Sequence, residues 1–497
     1  MTMRLLVLLF SLTAGSAGAD TGKFALVDGT VITATGDAPI AGATVLVDEG
    51  RIKGVLVGKT TPAGYEVVDV SGKFITPGII DTNIHLILTT VPEFFVKYED
   101  RLVDIAIQSA QIGLKQGLTT MPDTWGPLKP LLEARDRINS GEFVGSRVLV
   151  AGNIIGTGGP FSPYFMGGWP ARGLTLRYGG WVHPAIQRRI DALWEDDVGP
   201  RMIAMTPDEV AVTMRNYLAK GVDFVKVGVS GHGLGPAEPL LFSPEALEAI
   251  RSEVRRAGVP LLTHTFTIES LRYAVKMEPD LLMHPNVGIP PLTHATESQK
   301  QAIHALIAEI ADKGIYAGLM SIPEKSQSEI YTNWDYSEHR DKPHLNEIMV
   351  NRQLHMGAVP FELRADSVRA WLDGGVKYTL ATDQGPEAAD LGPTVWGRLG
   401  RMHFDRMKGL QDVGASPMEV LIASTRHGAE AYGLDDELGT IEKGKIADLL
   451  VVDADPMEDI NNIRQIHLVI KDGKIIDRDA LPTVEVLDYD PELPWPF

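Results

Sequence analysis

Alternating apolar and polar residues mark both ends of the chain as β-structure. Val- and Ile-rich runs stand at 24–32, 43–56, 65–75, 447–455 and 467–477. The runs near the first end are broken by Asp-Gly, Glu-Gly and Ser-Gly pairs, which are typical of hairpin turns. The pattern predicts one small β-sandwich domain formed by both chain ends, residues 20–76 and 431–497.

Between these ends, strongly apolar runs alternate with helical patterns. The apolar run 222–231 is followed by 243–258, which begins at a Ser and ends at a Gly as a capped helix does, and then by a second apolar run, 259–267. Apolar strands that alternate with helices imply a parallel sheet buried on both faces. About eight such units across residues 77–430 predict an α/β fold of the (β/α)8 TIM-barrel type, with functional residues at the carboxyl ends of the strands.

Composition narrows the class of protein further. The chain has 497 residues, a formal net charge of −19 and no cysteine. The length favours one large domain with a smaller one, and the lack of cysteine excludes disulfides and thiolate chemistry. The acidic balance argues against a nucleic-acid partner, so we expect a small-molecule partner instead.

The first residues have the pattern of an export signal. Residues 1–19 contain one Arg, an apolar core from Leu5 to Leu12 and the small residues Ala17, Gly18 and Ala19, which is typical of a cleavable signal peptide. A membrane anchor is the alternative, but this apolar core is shorter than a bilayer requires. We therefore expect an exported, periplasmic or secreted protein with no membrane span after signal removal.

Six polar residues stand at the carboxyl ends of five apolar runs of the predicted barrel. They are Asn83, His85, Lys226, His264, His284 and Asp383. Each of them alone has an ordinary explanation, such as a core histidine or an Asp that caps a helix. Together, however, they would cost several kcal/mol to bury without partners. A divalent cation held by these donors would remove that cost.

Several segments resemble the amidohydrolase superfamily. They are PGIID at 77–81, the strand that carries Lys226, ATDQG at 381–385 and the stretch 422–456. The resemblance implies a barrel with one or two divalent metal ions, zinc first and Mn, Co or Fe as alternatives. It also implies metal ligation by His85, His264, His284 and Asp383. By the same resemblance Lys226 carries a CO2-derived carbamate and Asp383 is the catalytic acid and base.

Asn83 departs from the superfamily pattern, in which a His stands at that position. Three outcomes stay open: the amide oxygen binds metal, one metal position is weakened, or catalysis is lost. The Asn-x-His start resembles the subgroup that includes molinate hydrolase and the phenylurea hydrolases. That resemblance implies hydrolysis of an amide-like C–N bond (amide, urea or carbamate) in a fairly apolar substrate. The alternatives are an Xaa-Pro-type dipeptidase, an esterase or lactonase, or a catalytically silent binding protein.

Two long stretches rich in Gly, Pro and aromatic residues interrupt the barrel pattern at 156–205 and 320–362. Long loops in compact domains are usually functional, so we expect them to wall a pocket for an apolar substrate. The alternatives are loop residues that pack on themselves and an oligomer contact, and the second leaves a homo-oligomer open. His232, just past the Lys226 strand, and Trp125, just past the second barrel strand, are the candidate substrate contacts.

Overall fold

The computed structural model describes residues 22–58, 62–87, 92–162, 184–231, 240–286, 292–320, 325–338, 340, 360–386 and 399–487. The predicted signal peptide, residues 1–19, lies outside the described residues. No helix within the described ranges combines the length and apolarity needed to cross a bilayer.

Strands from both ends of the chain form one eight-stranded sheet. They are β1 (Phe24–Val31), β2 (Ile40–Asp48), β3 (Arg51–Val57), β4 (Glu66–Asp69), β5 (Phe74–Pro77), β14 (Leu449–Val452), β15 (Ile466–Lys471) and β16 (Lys474–Ile475). The order is β16-β15-β14-β5-β1-β2-β3, and β4 pairs with β1. The two ends meet where β5 and β14 run antiparallel, with Ile75 opposite Val451. Val45, Ile75 and Leu449 share one apolar core, so the chain has the predicted small β-domain, built as one continuous sheet.

The middle of the chain supplies eight further strands in parallel. They are β6 (Ile79–Ile80), β7 (Leu118–Asp123), β8 (Arg147–Val150), β9 (Val225–Gly228), β10 (Leu261–His264), β11 (Leu281–Met283), β12 (Tyr316–Leu319) and β13 (Tyr378–Leu380). One arc has the order β6-β7-β8 and the other β13-β12-β11-β10-β9. All neighbours within each arc are parallel.

Backbone hydrogen bonds join the two arcs into a ring. Ile155, which follows β8, donates its N–H to the carbonyl of Lys226 in β9 at 2.9 Å. On the other side, the N–H of Thr82 donates to the carbonyl of Leu380 in β13 at 2.9 Å. The parallel bridge between Ile84 and Gln384 strengthens that second seam. The predicted closed (β/α)8 barrel is therefore confirmed.

Helices cover the outside of this barrel. They are α1 (Pro92–Lys97), α2 (Leu102–Lys115), α3 (Leu128–Asn139), α4 (Pro184–Glu195), α5 (Pro207–Leu218), α6 (Pro244–Ala257), α7 (Ile268–Lys276), α8 (Glu297–Asp312), α9 (Lys325–Asn333), α10 (Phe361–Asp373), α11 (Met402–Val413), α12 (Pro417–Ala423) and α13 (Arg426–Ala431). The side chain of Thr206 accepts a hydrogen bond at the start of α5, and Ser243 does so at the start of α6. Gly258 ends α6 with φ +71°. These are the caps that the sequence predicts.

The barrel interior is packed rather than open. Phe224, Leu262, Leu281 and Met283 form an apolar cluster with Tyr432, which follows α13. The Tyr432 hydroxyl donates to the carbonyl of Thr82 at 2.7 Å. This apolar cluster holds the strands together inside the barrel, and the polar residues lie at the carboxyl ends of the strands.

Candidate active site

The six predicted site residues are all buried at the carboxyl ends of the barrel strands. Asn83 and His85 follow β6, Lys226 lies in β9, His264 ends β10, His284 follows β11 and Asp383 follows β13. Two of them have positive φ, His284 at +39° and Asp383 at +60°. Residues other than Gly adopt such backbone only at a cost of about 1–3 kcal/mol, and they cluster at functional sites.

Asp383, which follows the last barrel strand, is hydrogen-bonded to two residues that follow the first barrel strand. Its Oδ1 lies 2.9 Å from Nε2 of His85 and accepts a hydrogen bond from Nδ2 of Asn83 at 2.9 Å. Burial would raise the pKa of Asp383, but the hydrogen bond and charge of His85, with the charges of Lys226 and His284, hold that pKa well below its usual range. The side chain is therefore a carboxylate at neutral pH.

His264 and His284 form a second close pair. Nδ1 of His264 lies 3.0 Å from Nε2 of His284, and the ring planes cross at 81°. Phe266 packs on both imidazoles, stacked on His284 at a centroid distance of 5.2 Å and edge-on to His264 at 4.7 Å. The Phe266 N–H donates to Oγ of Ser230 at 3.1 Å, which fixes this aromatic ring beside the pair.

Lys226 is fully buried among polar oxygens. Its Nζ donates to Oγ1 of Thr124 at 3.1 Å and lies 3.5 Å from Oδ1 of Asn83. Burial lowers the pKa of Lys226 to about 8, although the charges of Asp383 and Asp123 oppose that shift. Its hydrogen-bond partners among the described residues are neutral oxygens, without the close carboxylate that usually accompanies a buried lysine.

Three residues that the sequence analysis did not single out support the site. Asp81 accepts hydrogen bonds from the side chains of Thr382 and Gln384 and from the backbone of Asn83 and Thr382. It thereby ties the end of β6 to the end of β13. Burial raises the pKa of Asp81 to about 7 despite these bonds.

Asp123 and Thr124 support the site from the end of β7. Asp123 accepts the N–H of Leu86 at 2.6 Å and that of Trp125 at 3.1 Å. Burial raises the pKa of Asp123 to about 6. Thr124 donates to Oδ1 of Asn83 at 2.5 Å. The sequence shows Asp123 and Thr124 at the end of an apolar strand. It does not show which residues they bind, because Leu86 and Asn83 lie on another segment of the chain.

Comparisons with known proteins show the family to which the chain belongs. The model of the amidohydrolase family matches residues 288–476. The structure of molinate hydrolase shares 30% sequence identity at a TM-score of 0.80, covering 94% of this chain and 97% of that one. Phenylurea hydrolase B shares 31% identity at a TM-score of 0.80, with 94% and 100% coverage. The chain belongs to the amidohydrolase family.

The curated amidohydrolase relatives match over shorter stretches. Imidazolonepropionase of Shouchella clausii (strain KSM-K16) is 32% identical over 113 residues, which is 22% of this chain and 24% of that relative. The chain thus spans about a quarter of the length of this relative. Family membership and the resemblance to the molinate and phenylurea hydrolase subgroup, both predicted from sequence, are confirmed.

The substrate contacts predicted for this amidohydrolase remain predictions. Trp125 is only 1% exposed, and its Nε1 donates to Oδ1 of Asn153 at 2.9 Å. Its ring stands edge-on to His85 at a centroid distance of 6.3 Å, so it borders the site from within the core. His232 lies outside the described residues.

The two predicted pocket loops are described only in part. Phe161 and Trp194 both pack against Phe95, at centroid distances of 6.0 and 5.2 Å. Tyr164, Phe165, Trp169, Tyr178 and Trp181 lie outside the described residues. Phe161 and Trp194 therefore pack in the main apolar core, and Trp194 lies within α4.

The donor set fits a divalent cation of the kind that amidohydrolases hold. Within the described ranges, no three His, Asp or Glu residues are already assembled as a metal site. The donors meet instead as two pairs, His85 with Asp383 and His264 with His284. Imidazole nitrogens and carboxylate oxygens suit zinc and similar first-row ions. The two pairs offer four donors, the number that a tetrahedral zinc ion takes, and Asn83 adds an amide group beside Asp383.

Proposed function

We propose that the protein hydrolyses an amide-like C–N bond, in an amide, urea or carbamate, of a fairly apolar substrate. The observation that carries the proposal is the burial of three imidazoles, one carboxylate, one amide and one lysine at one end of the barrel. Such a concentration of polar groups is costly unless it serves a ligand. Solved relatives with similar folds are a molinate hydrolase and a phenylurea hydrolase.

One or two divalent ions, with zinc the first candidate, are the cofactor in this proposal. Residues that would hold them are Asn83, His85, Lys226, His264, His284 and Asp383. When bound, such an ion lowers the pKa of water and polarises the carbonyl that is attacked. Mn, Co and Fe are the alternative ions.

Lys226 requires a modification for this role. An ammonium repels a cation, whereas a carbamate formed from CO2 presents two oxygens and a negative charge. Nζ of Lys226 is buried and has neutral oxygens within reach, from Thr124 and Asn83. A carbamate there would add two anionic oxygen donors to those of the two pairs.

Asp383 would carry the proton during hydrolysis. Within the described part of the chain, the hydrogen bonds to its carboxylate fall on Oδ1, from Asn83 and His85. Oδ2 is then the atom that takes a proton from the attacking water and passes it to the leaving nitrogen. Asn83 and His85 keep the carboxylate in place while Oδ2 does so.

A substrate panel combined with metal analysis tests this proposal. The purified protein is assayed on aryl ureas, carbamates, N-acyl amino acids, Xaa-Pro dipeptides, esters and lactones, before and after chelation. We expect bound first-row metal, turnover of at least one amide, urea or carbamate, and loss of activity on chelation with recovery on adding Zn, Mn or Co. Turnover of dipeptides or lactones alone would replace the proposed reaction. Absence of metal and of all turnover would indicate a binding protein.

We also propose that the chain is exported. Residues 1–19 support this by their charged start, apolar core and small cleavage residues. Fractionation of expressing bacterial cells, with N-terminal sequencing of the product, tests it. A periplasmic or secreted product that begins near Asp20 is expected, and an uncleaved cytoplasmic product would contradict the proposal.

A further inference from the structure

Thr124 lies between two of the proposed metal-binding residues and contacts both. Its hydroxyl is completely buried and follows β7 directly. Nζ of Lys226 lies 3.1 Å from Oγ1, and Oγ1 lies 2.5 Å from Oδ1 of Asn83. The hydroxyl thus connects the first and fourth strands across the carboxyl end of the barrel.

Elementary chemistry fixes the direction of these hydrogen bonds. An ammonium can only donate, so Lys226 donates to Thr124, and the single hydroxyl proton of Thr124 then points to Asn83. An ionised carboxylate can only accept, so the nitrogen end of the Asn83 amide must face Asp383. The bond from Nδ2 to Oδ1 of Asp383, 2.9 Å long, agrees with that orientation.

We infer that Thr124 is a positioning residue that selects the orientation of the Asn83 amide and, through it, the place of Asp383. An asparagine amide can rotate by half a turn with little change in shape, unlike the ring of a histidine. A flipped amide would turn its carbonyl oxygen towards the carboxylate of Asp383 and repel it. In the flipped form the Thr124 hydroxyl would also lose Oδ1 of Asn83 as the acceptor of its proton, and the NH2 group would face the Lys226 ammonium, which cannot accept a hydrogen bond.

Only the expected effects on kcat rest on the proposed function. The hydrogen-bond geometry itself belongs to the metal-free chain. The effect of Thr124 must therefore pass through Asn83 in both folding and catalysis. If Thr124 acted through general packing or directly on Lys226, its substitution would have the same effect with and without the Asn83 side chain.

A double-mutant cycle between Thr124→Val and Asn83→Ala tests the inference. Valine keeps the shape of threonine and removes the hydroxyl, and Thr124→Ser restores the hydroxyl. We expect Thr124→Val to lower kcat about tenfold with little change in KM, and Thr124→Ser to recover most of the rate. In the Asn83→Ala background the same change should alter kcat less than about twofold.

A second cycle needs no activity and keeps the test valid if the substrate proposal fails. Urea unfolding of the metal-free protein should show coupling of at least about fivefold in the unfolding constant between the two positions. The matched control is Thr119→Val on β7. Thr119 is also fully buried, and the one hydrogen bond that its hydroxyl makes to a described residue is a 3.4 Å bond to the carbonyl of Ile79. Additive effects in the unfolding cycle, or equal losses for Thr119→Val and Thr124→Val, would overturn the inference.

Discussion

Asn83 and Asp383 are hydrogen-bonded to one another twice. The backbone N–H of Asp383 donates to the carbonyl of Asn83 at 2.7 Å, and Nδ2 of Asn83 donates to Oδ1 of Asp383 at 2.9 Å. The first bond joins the ends of two neighbouring strands, and the second orients the carboxylate. The Asn that departs from the superfamily pattern therefore has a defined structural partner, whether or not its oxygen binds metal.

Replacing Asn83 by Asp should remove activity with almost no change in shape. The new carboxylate cannot donate to Asp383, and it places a like charge beside it. We expect kcat to fall by about 100-fold, since a lost hydrogen bond to a buried charged group costs about 3 kcal/mol. Steady-state kinetics with metal analysis measures the effect.

A second buried asparagine provides the control for this charge change. Asn153→Asp also buries a carboxylate, but it faces Nε1 of Trp125 rather than Asp383. It should cost less than about tenfold in kcat. If both variants lose activity equally, the effect of Asn83→Asp reflects buried charge in general and not its bond to Asp383.

Lys226→Ala should abolish activity and leave a space that a small acid can fill. Lys226 is only 1% exposed, and its loss removes the atom on which the proposed carbamate forms. We expect a fall of more than about 1,000-fold in kcat, with partial recovery when formate, acetate or propionate is added. Full activity in this variant would refute the role of Lys226, and Lys220→Ala, at an exposed ion pair with Asp197, is the control.

The sequence could place the proposed donors at strand ends because a strand end is a local signal. An apolar run followed by His264 or Asp383 can be recognised without knowing what lies opposite. The supporting residues Asp81, Asp123 and Thr124 escaped because each acts on a partner from a distant segment. In the sequence these three look like ordinary residues at strand ends. Their support of the site is visible only in the closed barrel, where their partners from other segments lie beside them.

The apolar run 74–80 passes from the small sheet into the barrel. Within it, β5 pairs with β14 in the small sheet and β6 pairs with β7 in the barrel. Gly78 stands between them, and a Cβ there would lie 2.3 Å from the side chain of Thr119. The close approach of a neighbouring strand, rather than any turn signal, explains the glycine.

Asp191 makes stability depend on pH near neutrality. Its Oδ1 accepts the N–H of Phe161 at 2.8 Å, and burial raises its pKa to about 7. An unfolded Asp ionises near about 4, so the folded state binds more protons between about 4 and 7, and its stability falls as pH rises through that window.

Asp191→Asn removes this ionisation and keeps the acceptor for Phe161. The variant should be more stable than the wild type by about 1–2 kcal/mol at pH 8, with no difference below about pH 4. Urea unfolding at several pH values measures the difference. Asp197→Asn, at a side chain 87% exposed, should show no such trend, and an equal trend there would contradict the assignment to Asp191.

His403 should make the protein sensitive to acid. Burial lowers the pKa of His403 to about 3, against the hydrogen bond that its Nε2 donates to the carbonyl of Gln116. The unfolded ring takes up a proton below about 6.5 and the folded ring does not, so this contribution to stability is lost as pH falls from about 6.5 towards 3.

His403→Gln keeps a donor for Gln116 and cannot be charged. Its free energy of unfolding should fall less steeply than that of the wild type between pH 6.5 and 4, by about 1 kcal/mol or more over that range. His304→Gln, at an exposed position on α8, is the control. Parallel pH profiles for wild type and His403→Gln would show that the ring is protonated equally in both states.

Substitution of Gly473 tests how tightly two turns of the small sheet, one from each end of the chain, pack together. It lies in the turn between β15 and β16 with φ +70°, and a Cβ there would lie 2.4 Å from Cα of Gly50 in the turn between β2 and β3. At Gly258, with φ +71°, no atom of the described residues lies within 4 Å of the position that a Cβ would take. Both Ala variants carry the same backbone strain of about 1 kcal/mol, but only Gly473→Ala also forces two backbones apart. We expect Gly473→Ala to lower the free energy of unfolding by about 2–3 kcal/mol and Gly258→Ala by about 1, and equal losses would mean that the two turns separate without cost.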